Sequence, residues 1–179
     1  MQIQPARADA MARIKELYDE AIAFQRSNGH PHWQDVNLDV VAADIARGCQ
    51  HTLMVERQIA GIFSLCPPSV MDHDLWQGWQ PTSARYLNRI IVGREWRGQH
   101  LFAHMLAWCE QALARQAIGV LRLDTWAANL SLTAYYATFG FTFVAERTTS
   151  TSLTLPPQYR GVRLALMEKP ISLVARLSD

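Results

Sequence analysis

Lysine is nearly missing from this chain: of 17 Lys and Arg residues, only Lys15 and Lys169 are lysine. Cationic work therefore falls to guanidinium groups, which suit planar phosphate or carboxylate partners, although genome composition produces the same bias. Cysteine is scarce as well, with Cys49, Cys66 and Cys109 odd in number and lacking paired spacing. That excludes a disulfide framework and a thiolate zinc site. Net charge is only +1, so no global field draws nucleic acid or an acidic membrane, and neither is expected as a partner. No apolar stretch approaches the length that spans a bilayer, and the first residues lack a basic segment followed by an apolar run. The expectation is a soluble cytoplasmic protein. With no internal repeat, and with 49% hydrophobic and 18% charged residues, residues 1–179 read as one globular domain.

What is present centres on residues 86–103. Leu87, Asn88, Arg89, Ile90, Ile91 and Val92 read as a buried strand, because β-branched residues pack well on a pleated surface. Gly93 ends it. A polar turn from Arg94 to His100 leads into an amphipathic helix over about 101–116, with Leu101, Met105, Cys109, Ala112 and Leu113 on one face. A strand, a basic turn and a helix start make an anion site, since the first helical amides lack partners and sit at the positive end of the dipole.

Around this centre, Ile3 lies in a short extended start, and Asp9 is placed to cap a helix carrying Met11, Ile14, Leu17, Tyr18, Ala21 and Ile22. Asn37 caps a second helix that aligns Leu38, Val41, Ala42 and Ile45. Residues 51–56 and 58–65 form a hairpin, with Gly61 at a bulge or close backbone approach. Residues 67–83 are a proline-rich loop, whose Trp76 and Trp79 either form a substrate lid or partner surface or fold back over the core. Residues 120–125 are a strand, Asn129 opens a short helix ending at Gly140, and 141–147 and 163–169 close the fold as strands. Between those strands lies a polar run followed by Leu155, Pro156, Pro157, Gln158 and Tyr159. The pairs His30/His32 and His100/His104 have no further ligands near them in sequence, so no metal is expected.

The turn resembles the acetyl-CoA loop of the GNAT family of N-acetyltransferases. That motif runs arginine or glutamine, two residues, glycine, one residue, then glycine or alanine. Arg97, Gly98, Gln99, His100, Leu101 and Phe102 fall on it in order, with His100 and Phe102 standing where glycine is preferred. A second match opens at Asn129, with Tyr136 seven residues on, and closes at Gly140 and Phe141. The resemblance implies a mixed central β-sheet with helices on both faces, an α/β single domain. It also implies an acyltransferase that moves an acetyl group from acetyl-CoA to a primary amine by direct attack on the thioester.

By the same resemblance, strands 86–92 and 120–125 are a parallel pair that splays where the coenzyme arm enters. Backbone groups of Ile90, Ile91 and Val92 hold that arm, and amides from Arg97 through Ala103 hold the pyrophosphate. Asn129 touches the arm while capping its helix, and Tyr136 protonates the departing thiolate. No motif names the general base. Asp124, near a strand end, is the first candidate, with Asp72, His73, Asp74 or a water relay as alternatives. Adjacent on a helix, Leu101 and Phe102 cannot both face the same way. The Phe102 ring either narrows the pyrophosphate site or turns to the core. The acceptor is expected to be a small amine or amino-acid-like molecule, with a protein N-terminus or lysine left open. The last strand, read as a sheet edge, is where a homodimer would pair. A second reading is a non-catalytic module of the same fold, its pocket altered by Phe102 for another ligand or for assembly.

Overall fold

The computed structural model describes residues 1–79, 83–153, 155 and 159–173. Pro81, Pro156, Pro157 and Gln158, all read as loop, lie outside the described residues. Strands β1 (Gln2–Pro5), β2 (Gln50–Val55), β3 (Gln58–Cys66), β4 (Arg85–Val92), β5 (Val120–Trp126), β6 (Thr142–Thr148) and β7 (Arg163–Pro170) form one sheet in the order β1-β2-β3-β4-β5-β7-β6. Only β4 and β5 pair in parallel. The helices are α1 (Met11–Ser27), α2 (Leu38–Ala46), α3 (Val70–Leu75), α4 (Leu101–Arg115) and α5 (Leu130–Ala137).

Alternation along the strands divides the core in two. Ile62 and Ile91 face Ile14, Leu17, Tyr18 and Val41 of α1 and α2. Phe63, next to Ile62, and Leu87, which a register shift in β4 puts on the face opposite Ile91, join Leu121 and Leu123 in facing Leu101, Met105, Cys109 and Leu113 of α4. The expected mixed sheet with helices on both faces is therefore the observed one. Each fully buried Leu or Met on α4 contributes roughly 1.5–3 kcal/mol, so this face anchors the helix whose start carries the turn. Gly61 permits that packing, because a Cβ there would lie 2.6 Å from Met105 Cε and 2.8 Å from the Ile91 carbonyl oxygen.

Several local expectations are corrected. Asp9 caps nothing: it sits in a 3-10 turn over Ala8–Ala10, and α1 begins without a side-chain cap. On α2, Ala42 is exposed and Asp44 is buried, held by an ion pair rather than by apolar contact. The stretch 67–83 contains α3, started by a reciprocal cap in which Ser69 Oγ accepts from the Asp72 amide and the Asp72 carboxylate accepts from the Ser69 amide. Trp76 is buried beside Leu75, Tyr86 and Leu166, with Trp79 half-buried against them, so these rings cover the core. The last strand is no edge. The chain places β6 outermost and returns β7 between β5 and β6, leaving β1 and β6 at the margins.

Candidate active site

A gap in the sheet organises the site. The parallel strands β4 and β5 pair only at Arg85 with Leu121 and Tyr86 with Arg122, after which they part. On its other side, β4 carries a bulge: Ile62 pairs with Ile91 and Ser64 with Asn88, so Arg89 and Ile90 together oppose Phe63. Arg89 takes the left-handed conformation there, φ 52, unusual for a residue with a side chain. The bulge turns the Arg89 side chain into the gap that the parting strands open.

That gap is the floor of a cavity of 740 Å³ to which Arg89, Ile90, Asp124, Asp72, Tyr136 and Tyr159 all contribute. Asp124 arrives from β5. Since Leu121 and Leu123 point to α4, alternation sends Arg122 and Asp124 to the opposite face. Asp124 Oδ1 has no hydrogen-bond partner among the described residues. Burial, reinforced by the charge of Asp72 and opposed by Arg89, pushes the Asp124 carboxyl up to about 7. Such a group exchanges a proton near neutral pH, as a general base must. Asp72 is itself raised by burial, while Ser69 opposes the shift by donating from its amide at 2.7 Å and its hydroxyl at 2.6 Å. His73 and Asp74 are exposed and do not line the cavity.

Tyr136 reaches the cavity from α5, and Asn129 sets that helix's start: its Oδ1 accepts from the Leu132 amide at 3.1 Å and from Ser131 Oγ at 2.9 Å. The expected cap is present. Burial, then the neighbouring Tyr135 and the Asp124 charge, raise Tyr136 well above the ordinary tyrosine range, so its hydroxyl remains a proton donor. Its ring is clamped by Phe102 and Phe141, at centroid distances of 5.3 and 6.1 Å. Tyr135 next to it is exposed. A proton acceptor and a proton donor thus share one partly enclosed space.

The turn before α4 follows β4, whose Arg89 and Ile90 line this cavity, and is built of backbone. Gly98 and His100 both take positive φ, 79 and 56, and a Cβ at Gly98 would meet nothing within 4 Å. Among the described residues, the amides of Gly98, His100, Leu101 and Phe102 have no backbone acceptor, whereas Gln99 donates to Trp96 and Ala103 to His100. Unpaired amides at a helix start suit an anion. The Arg97 guanidinium lies 4.0 Å above the Phe24 ring, which ties the turn to α1. Leu101 and Phe102 are both buried, and of the two courses open to the Phe102 ring the structure shows the turn to the core. Phe102 fits because its ring enters the space between α4 and α5, packed on Tyr135, Tyr136 and Phe139. It does not narrow the turn, and the basis for an altered pocket is removed. Of the strand residues, Ile90 lines the cavity, while Ile91 and Val92 continue β4 toward the turn. His100 and His104 are exposed, and among the described residues no group of three His, Cys, Asp or Glu is arranged for a metal.

Sequence reasoning missed the charged wall of the cavity. The Asp44 carboxylate, 1% exposed, pairs with Arg89 on one oxygen and Arg47 on the other, and Arg89 also bonds the Tyr159 hydroxyl. Two signals were present: an arginine next to Asn88 inside a strand that is otherwise mostly apolar after Arg85, and an aspartate one residue before Ile45 on the inner side of α2.

A sequence model of the acetyltransferase (GNAT) family matches residues 14–141. The chain is 26% identical over 145 residues to an uncharacterized N-acetyltransferase, YesJ, of Bacillus subtilis (strain 168), covering 78% of this chain and 81% of that protein. A GNAT-family acetyltransferase structure from Listeria monocytogenes 4b F2365 superposes with a TM-score of 0.76 at 22% identity, covering 94% of both chains. A putative acetyltransferase, yncA of Salmonella typhimurium, solved with its cofactor acetyl-CoA, gives 0.65 at 18% identity over 99% of this chain and 98% of that one. At these identities the two structures speak to fold alone.

Proposed function

Since the chain belongs to the acetyltransferase (GNAT) family, we propose that it transfers an acetyl group from acetyl-CoA to the primary amine of a small molecule, in the cavity between β4 and β5. One observation carries the reading: Asp124, whose carboxyl titrates at about 7, and Tyr136, whose hydroxyl stays protonated, line the same cavity. Bound acetyl-CoA supplies the acetyl group, activated as a thioester with a thiol as leaving group.

The chain supplies the rest. Amides of Gly98, His100, Leu101 and Phe102 bind the pyrophosphate without needing a lysine. Backbone groups that β4 leaves unpaired beyond Tyr86, including those of Ile90, hold the arm and orient it toward Asp124. Asn129 adds its Nδ2, which donates to nothing among the described residues. Asp124 takes a proton from the acceptor ammonium, making it a nucleophile, and Tyr136 gives a proton at the sulfur as the thiol departs. Walls from Leu87, Leu132 and Met71 limit water.

Acetyl-CoA is expected to raise the melting temperature, because a ligand held only by the folded state stabilises it by about 2.7 kcal/mol at a hundredfold excess over Kd. An unbiased amine screen, read by release of free coenzyme thiol, identifies the acceptor. With an acceptor in hand, Tyr136→Phe keeps the ring and should lower kcat by about 10- to 1000-fold, while Tyr135→Phe leaves it near wild type. Equal, full activity in both variants removes Tyr136 from the mechanism.

A further inference from the structure

The cavity has two electrically different walls, and together they select a kind of acceptor. On one wall, Arg47 and Arg89 share a single carboxylate, that of Asp44. Guanidinium groups stay charged in proteins, so the trio carries two positive charges against one negative. Asp44 cannot turn away to neutralise something else: it is 1% exposed and both of its oxygens are engaged. Arg89 keeps an Nε that no described residue accepts from, and Arg47, its side chain 63% exposed, is engaged through Nη2 alone among the described residues. Surplus positive charge therefore faces the cavity.

The other wall holds Asp72 and Asp124. Asp72 spends one oxygen, Oδ2, on Ser69 at the start of α3, and it is buried to 2% exposure with Oδ1 unpartnered among the described residues. Asp124 carries no such cap and is the carboxylate that meets an incoming ammonium. A diamine gains nothing from the arginine wall, where its second ammonium would face two guanidinium groups. An acceptor with an oxyanion near its amine satisfies both walls at once. Arg89 and Asp124 line the same cavity, and the Arg89 charge opposes the rise of the Asp124 carboxyl.

Resting on the acetyltransferase reading, we infer that the acceptor is a small amino-carboxylate, with its amine at Asp124 and its carboxylate on Arg89 and Arg47. A carboxylate meets a guanidinium through two parallel, charge-assisted bonds, a geometry that an amide or a bare alkyl group cannot reproduce. The bulge at Arg89 is then a specificity device, since its left-handed backbone aims the side chain across the gap instead of along the sheet.

The test uses matched sets: an amino acid, its carboxamide, its decarboxylated amine and a diamine of similar length, each assayed with acetyl-CoA by thiol release. The expected result is a kcat/KM at least about 10-fold higher for the carboxylate than for its carboxamide. In Arg47→Gln, checked for folding by its melting temperature, that ratio should collapse toward one. Preference for the diamine or the carboxamide overturns the inference, and so does a ratio unchanged in Arg47→Gln. If acetyl-CoA raises the melting temperature yet no set contains an accepted amino-carboxylate, the inference fails while the coenzyme site stands. If acetyl-CoA produces no shift, both readings fall together.

Discussion

At the turn before α4, the groups proposed to meet the coenzyme are backbone amides, and side chains stand at two positions where the motif prefers glycine: His100 is exposed and Phe102 is buried in the core. In the cavity between β4 and β5 the groups are side chains drawn from α2, α3, β4, β5 and α5, and most are held by partners of their own, Asp124 being the exception. Asp72 is fixed by Ser69, Asp44 by two arginines, Tyr136 by a clamp of rings. An amide is present whatever the residue, so the turn tolerates substitution. The cavity tolerates less, because removing Asp44, for one, leaves Arg89 without its carboxylate.

Asp124→Asn tests that contrast most severely. The amide cannot take a proton, and kcat/KM should fall by about 100- to 10,000-fold, with the wild-type inflection near pH 7 disappearing. Binding of acetyl-CoA, followed by melting temperature, should persist. Stability should move the opposite way. In the folded chain the carboxyl titrates at about 7, against 3.8 for an ordinary aspartate. Between those values the folded state holds the proton more tightly, so wild-type stability declines as pH rises through the window. The advantage of Asp124→Asn should thus grow from pH 5 to pH 8, by on the order of 1–3 kcal/mol. A variant that is less stable at pH 8 would contradict the buried, unpartnered state of this carboxyl.

Phe102 looks like an exception and sharpens the rule. It stands in the turn's motif, yet at 4% exposure it belongs to the core. Phe102→Ala should cost about 3–5 kcal/mol, the usual range for emptying a buried aromatic site, measured by denaturant midpoint at constant slope. Because the lost ring also holds Tyr136, kcat should drop more than coenzyme affinity. Tighter coenzyme binding in a folded variant would restore the idea that the ring crowds the pyrophosphate.

These cases mark how far the residues could be read in order. Periodicity and caps located β4, the turn, α4 and α5, because each depends on neighbours within a few positions: Asn37 and Asn129 both cap the helices they precede. The Ser69 to Asp72 cap was equally local, but Pro67 and Pro68 just before it argued for loop and hid a helix of six residues. Strand order was out of reach, since nothing near 163–170 says that this strand enters between β5 and β6. So was the charged wall. Asp44 and Arg89 are far apart in sequence, and their pairing rests on a bulge visible only as a register shift against β3. Asp124 was nominated for lying near a strand end; the burial that gives it a base's character comes from tertiary structure.

The smallest effect is expected at His100, and it bears on the tolerant half of the contrast. Its backbone sits at φ 56, ψ 28, immediately before α4, with no side-chain cap bond. A left-handed conformation costs a residue with a Cβ roughly 1–2 kcal/mol, and glycine avoids that strain while giving up about 0.5–1 kcal/mol of chain entropy. His100→Gly should therefore stabilise the protein by up to about 1 kcal/mol. Its amide remains, so acetyl-CoA affinity should stay within a few-fold of wild type, read by titration calorimetry on both proteins under one buffer. Among the described residues, the exposed imidazole makes no ring contact or ion pair that the substitution would remove. A large loss of affinity in a fully folded His100→Gly would mean that the imidazole itself meets the coenzyme, and the turn would no longer count as a site made of backbone alone.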